Sequence, residues 1–161
     1  MIVVSDASVL IGLSAINRLI ILQSLFGELL IPEAVYREIV TAGKGRPGEH
    51  QVQAATWIRY QAVVNLSLSA DLQGKLDDGE AEAITLAVEV GADILLMDER
   101  RGRQLAKSHG LRPLGTVGVL LRARRVGLIG SLQADLDALL HMGFRISQAI
   151  YHKALIEVGE R

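Results

Sequence analysis

"MIVVSD" at residues 1–6 and "DILLMD" at residues 93–98 share one form, a short apolar run that stops on a carboxylate. Runs of this length, rich in branched aliphatics and followed by helical patterns, read as strands of a parallel sheet joined by crossover helices. Working outward, "ELLIP" (28–32) reads as the second strand, closed by a proline suited to a helix's first turn. "AVVNLSL" (62–68) reads as the third strand and "RPLGT" (112–116) as the fifth. Helical periodicity runs over residues 8–26 through Leu10, Leu13, Ile16, Ile20 and Leu25. It returns in "EAVYREIVTA" (33–42), 49–59, "DDGEAEAITLAVEVG" (77–91), "RGRQLAKSHG" (101–110), 117–126, 131–142 and 147–158. The loop "GKGRPGEH" (43–50) lacks the Gly-Lys-Ser/Thr ending of a phosphate-binding loop and reads as a mobile surface segment. The expected fold is α/β, a five-stranded parallel sheet flanked by helices and doubly wound, forming a single domain over 1–161. The strand ending at Asp6 should lie between the "ELLIP" and "DILLMD" strands.

Composition narrows the chemistry. The chain has 161 residues, half of them hydrophobic, and no cysteine, which excludes disulfides, thiolate zinc sites and a cysteine nucleophile. A cysteine-free chain fits a reducing cytoplasm. The first residues lack the basic region of a secretory signal, and the longest apolar stretch, "LIILQSLFGELLI" (19–31), is broken by Gln23, Gly27 and Glu28. A soluble, cytoplasmic protein with no membrane association is expected. Net charge is −1, but its distribution is uneven. Residues 71–99 hold nine acids against one base, Lys75, and residues 100–125 hold eight bases and no acid. Such a juxtaposition suits a metal-plus-phosphate site, and it equally suits two solvated helix faces.

The acids divide by position. Asp6 and Asp98 sit at strand carboxyl ends, where ligands of parallel sheets bind, and each is also a good helix N-cap. Glu80 shares a helix face with Ala83, Ile84 and Ala87, where a lone carboxylate is costly; its spacing from Asp77 is equally that of a capping box. Glu82 and Glu89, on the opposite face, read as solvated. Glu38 lies at the edge of a face made by Val35, Ile39 and Ala42. Brought to one crevice, Asp6, Glu38, Glu80 and Asp98 would repel one another unless a cation intervened. An oxygen-only set selects Mg²⁺ or Mn²⁺. His50, His109, His141 and His152 lack ligand spacing and read as surface residues. The last two helices carry more apolar positions (among them Leu140, Ile150 and Ile156) than such a sheet needs, which suggests a partner, with Asp135 and Asp137 on the polar side.

"SDASVLIGL" (5–13), "IPEAVYREI" (31–39), "DDGEAEAITLA" (77–87), "LLMDERRGRQLA" (95–106) and "LGTVGVLLRA" (114–123) resemble, in order and spacing, the motifs of PIN-domain (PilT N-terminus) nucleases, in an uncharacterised VapC-toxin-like branch. The resemblance covers nearly the whole chain. It implies a metal-dependent endoribonuclease of the toxin type, whose four acids fall on Asp6, Glu38, Glu80 and Asp98. Metal-assisted attack of water on phosphorus needs no protein nucleophile. Ser8 and Thr116 stand where they could orient a water or phosphate, although helix capping suits Thr116 as well. Arg100, Arg101 and Arg103 would follow the RNA backbone, while Arg122, Arg124 and Arg125 read as a solvated face. No aromatics are interleaved with these bases, so base stacking is expected to be minor. The chain departs from the commoner toxin pattern at Ala7, where threonine is usual, and at "DERRG" (98–102). A homodimer and a small antitoxin covering the acidic crevice are the implied partners. Two alternatives remain: a catalytically silent PIN-fold binding module, and a Mg²⁺-binding phospho-receiver. The receiver needs a lysine ending its fifth strand and an aspartate ending its third, and neither is present.

Overall fold

The computed structural model describes residues 1–160. Five parallel strands, β1 (Val3–Ser5), β2 (Leu29–Pro32), β3 (Ile58–Gln61), β4 (Ile94–Leu96) and β5 (Pro113–Leu114), pair in the order β3-β2-β1-β4-β5. β1 therefore lies between β2 and β4, as expected. Strand order reverses at the β1–β4 pair, which opens a crevice beyond their carboxyl ends. The register sets Ser5 beside Leu96, and the Asp6 N–H donates to the Leu96 carbonyl at 2.9 Å. Asp6 and Asp98 thus leave the sheet side by side.

Strand alternation divides the core in two. Val3, Leu29, Ile31, Ile94 and Leu96 face one layer, and Val4, Leu95 and Met97 face the other. The first layer packs helices α1 (Ala7–Ala15), α2 (Ile20–Phe26), α3 (Glu33–Tyr36) and α4 (Glu49–Ala54), together with α8 (Thr116–Arg125), α9 (Leu132–His141) and α10 (Gln148–Glu157). The second packs α5 (Leu66–Gln73), α6 (Asp78–Val90) and α7 (Arg100–Ser108). Among the described residues no helix is long and apolar enough to cross a membrane.

Several local expectations are corrected. The helix expected over 8–26 breaks in two because Asn17 adopts φ 57°, a left-handed conformation that asparagine tolerates. The third strand is not "AVVNLSL" but Ile58–Gln61, and Asn65 instead caps α5, its side chain accepting from the Leu68 N–H at 3.1 Å. α3 continues as a π turn over Arg37–Thr41, with the Ala42 N–H donating to the Arg37 carbonyl at 2.7 Å. The extra residue rotates the chain so that Val40, not Ala42, joins Ile39 in the core. The loop after it packs down at Gly48, whose φ of 99° holds it against Ile39 and Ser14.

Of the surplus apolar positions in the last two helices, Leu132, Leu136, Leu139 and Leu155 enter the core, while Leu140, Ile150 and Ile156 remain exposed. Asp135 is not solvated: it is buried and pairs with Arg18 at 3.0 Å. Glu160 adds an unforeseen clamp. Its carboxylate accepts from the Leu132 and Gln133 N–H groups at 2.8 and 3.0 Å, and from Arg124 of α8 at 2.9 Å. The Gln133 N–H above all, then those of Leu132 and Arg124, hold its pKa below the usual 4.5. Glu160→Ala should cost about 1–2 kcal/mol at neutral pH, the loss of a helix cap. A depressed carboxylate stabilises only while ionised, so urea melts of variant and wild type should converge as pH falls through this lowered pKa.

Candidate functional site

Asp6 is the buried centre of the site, only 2% exposed. Its carboxylate accepts from the Val9 N–H at 3.3 Å, capping α1, and from the Ser8 hydroxyl at 3.1 and 3.2 Å. The cap is made with a side chain that also lines the candidate site, so the two readings of Asp6 do not exclude one another. A cavity of about 50 Å³ beside it is lined by Asp6, Ala7, Ser8, Glu38, Asp77 and Glu80. The structure therefore brings Asp6, Glu38 and Glu80 together, and adds Asp77, which the sequence marked only as a cap.

Each acid reaches the cavity by a local device. The π turn carries Glu38 toward α6, where a Cβ on Gly79 would stand 3.0 Å from Glu38 Oε1; glycine leaves that room. Glu80 closes a capping box with Asp77: its N–H donates to Asp77 Oδ1 at 2.8 Å, and its carboxylate accepts from the Asp77 N–H at 3.3 Å. Both proposed roles again fall on one side chain. Glu82 and Glu89 are not simply solvated. Glu82 accepts from the Ala34 N–H at 3.1 Å at the start of α3, and Glu89 accepts from the Val64 N–H at 2.7 Å.

Asp98 does not cap its own helix; Glu99 does, accepting from the Gly102 N–H at 2.6 Å. Asp98 is instead held from β5's side, accepting from the Thr116 N–H and hydroxyl, each at 2.7 Å. Thr116 is the residue that fixes an acid, not the helix cap, which falls on Gly115. A Cβ at Gly115 would come within 2.8 Å of Asp98 Oδ1 and 2.9 Å of Arg103 Nη1, so glycine admits both side chains. Asp98 lines a second, larger cavity with Ser8, Arg100, Arg103 and Thr116. Ser8 touches both cavities. Arg101 is exposed and lines neither. Of the face expected to be solvated, Arg122 is exposed, but Arg124 is half-buried and pairs with Glu160, and Arg125 pairs with Glu157. All four histidines are exposed.

The electrostatics record crowding. Burial first, then the Asp98 charge, raises the Asp6 pKa well above the aspartate range. Burial and Asp77 raise Glu38. Burial and Asp77, with Glu99 contributing, push Glu80 up to about 7. No ion pair among the described residues includes any of these acids. Uncompensated oxygens of this kind fit a hard divalent cation. Among the described residues, however, no three His, Asp or Glu side chains already stand as an ion-holding group. Thr116 and the Asp77 capping box hold Asp98 and Glu80 in other engagements.

A family model described as a PIN domain matches residues 2–160. The chain belongs to the PIN-domain family. The match covers every strand and helix of the sheet that brings Asp6 and Asp98 together, and it assigns the chain a nuclease-type fold. No curated protein matches this PIN domain.

Proposed function

We propose that this PIN domain is a metal-dependent endoribonuclease hydrolysing RNA phosphodiester bonds, the toxin of a toxin–antitoxin pair in the VapC-like branch. The observation that carries the reading is the convergence of Asp6, Glu38 and Glu80 on one cavity, with Asp98 at the neighbouring strand end and, beyond it, cations that form no ion pair among the described residues. Asp6, Glu38, Glu80 and Asp98 would hold Mg²⁺ or Mn²⁺, and Asp77 adds charge beside them. Such an ion supplies a nucleophile at neutral pH and positive charge at the phosphate. Ser8 and the Val9 N–H orient Asp6, and Thr116 orients Asp98. Arg100, Arg101 and Arg103 attract the backbone, setting affinity rather than sequence preference. The deciding assay is cleavage of a mixed RNA pool with Mn²⁺, with EDTA, and with Asp6→Asn. Cleavage that survives EDTA ends the metal assignment, while RNA binding without cleavage favours a silent binding module.

The exposed Leu140 and Ile156 support a homodimer through α9 and α10. Light scattering at micromolar concentration should give twice the chain mass; a single-chain mass rejects the dimer. An acidic crevice with basic flanks suits a small antitoxin in the cytoplasm. Co-expression with an adjacent small reading frame should relieve toxicity, and a chain harmless when overexpressed loses the toxin label.

A further inference from the structure

The larger cavity, about 680 Å³, runs from Asp98 and Ser8 between α7 and the turn that joins α9 to α10. Four cations line it: Arg100, Arg103 and Lys107 from α7, and Arg145 from the turn opposite. Among the described residues none of the four forms an ion pair, whereas Arg18, Arg124 and Arg125 are each paired with a carboxylate. Arg103 donates to the Met97 carbonyl at 3.1 Å, which aims it without neutralising it. Asp98 is the cavity's acid, and both its oxygens accept from Thr116. Like charges gathered around one space focus a positive potential and favour an anionic occupant.

The lining also has an apolar side, with Leu114, Val117, Phe144 and Ile146 on it, beside the polar Gln104 and Ser147. Phe144 is wedged against α1, where a Cβ on Gly12 would stand 2.9 Å from its ring. A free phosphate has no use for this wall. A single strand does, because an unstacked base can lie on an aromatic side chain while its phosphates meet cations. A duplex keeps its base faces stacked inside and presents phosphates, hydroxyls and base edges, none of which can stack on an aromatic ring. Continuity with Asp6 through Ser8 favours the substrate over a protein partner.

We propose that the turn carrying Phe144 and Arg145 is the second wall of the substrate groove. It seats the nucleotide beside the scissile phosphate of a single-stranded RNA, Phe144 stacking its base and Arg145 holding a phosphate opposite Arg100 and Arg103. This rests on the nuclease reading, yet it assigns recognition to a segment far in sequence from the acids and from the α7 arginines.

Binding is tested apart from cleavage by fluorescence anisotropy in EDTA, using the full chain with an end-labelled single-stranded RNA and its duplex. The single strand should bind more tightly. Arg145→Ala should weaken it on the order of tenfold, and the slope of log affinity against log salt should fall by about 0.7, one phosphate contact. Arg145→Lys should keep the slope, and Phe144→Leu, which preserves an apolar contact with α1, should weaken binding without changing it. Wild-type affinity and slope in Arg145→Ala overturn the proposal, as do equal binding of duplex and single strand, or occupation of the cavity by an acidic peptide but not RNA. A parallel Mn²⁺ assay separates the two readings. Cleavage undiminished in Arg145→Ala removes the groove and keeps the nuclease; Arg145-dependent binding without cleavage does the reverse.

Discussion

Asp6→Asn is expected to lose Mn²⁺-dependent RNA cleavage by more than the roughly 100-fold that removal of an outer-shell metal partner costs. The fold should survive, because asparagine caps a helix as well as aspartate and its oxygen still accepts from the Val9 N–H. Stability without metal should move the other way. The Asp6 carboxyl is buried and faces Asp98, so its folded pKa lies above its unfolded one. The folded state therefore binds more protons, and stability falls as pH rises from the ordinary carboxylate range through the raised pKa. Glu38 and Glu80 act in the same direction, Glu80 through its pKa of about 7. Wild-type thermal melts in EDTA should thus drop between mildly acid and mildly alkaline pH, and the drop should shrink in Asp6→Asn. Adding Mn²⁺ at the alkaline end should recover the wild type and leave the variant nearly unmoved. A variant that cuts at the wild-type rate, or a wild type whose melting ignores Mn²⁺, would rule out the ion at Asp6.

How much of this was legible from residues alone depended on whether the signal was local. Val3 and Val4, and Leu95 and Leu96, face opposite layers because a strand alternates, and a buried strand advertises itself by an unbroken apolar run. That signal placed β1, β2 and β4, and with them Asp6 and Asp98. β3 gave no such signal. It is an edge strand whose Arg59, Tyr60 and Gln61 are exposed, so no apolar run marks it, and the more apolar segment after it drew the assignment. Asn65, in the middle of that segment, was the cue missed: it is a cap residue ahead of a helical pattern. The π turn beneath Glu38 leaves no mark that a helical wheel registers. Asp98's partner, Thr116, lies eighteen residues away across β5, and Glu160 reaches back to α9 from the chain's far end. Contacts of that range follow from topology, not from spacing. Asp77 differs: its capping-box spacing was plain, but the box concealed that its charge also enters the site.

Glu80→Gln and Glu82→Gln, two residues apart on α6, are expected to fail in different ways. Two residues turn a helix by about 200°, so the side chains leave it on nearly opposite sides. Glu80 reaches the acid cavity. Glu82 reaches α3, accepting from the Ala34 N–H with Arg37 4.0 Å away. Glutamine is accepted at the third position of a capping box, so Glu80→Gln should keep α6 intact. It removes one anionic oxygen donor from the proposed ion site, and cleavage should be lost to a similar extent as in Asp6→Asn. Metal-free stability near neutral pH should rise, since glutamine resembles the protonated acid that burial and Asp77 already favour. Glu82→Gln keeps an oxygen for Ala34 but loses the charge at the start of α3 and beside Arg37. Its cost should be about 0.5–1 kcal/mol in a urea melt, with cleavage close to wild type. The pair separates a chemical role from a structural one on the same helix. If both variants lost cleavage equally while only Glu82→Gln were destabilised, the acid cavity would not be where the phosphate is cut.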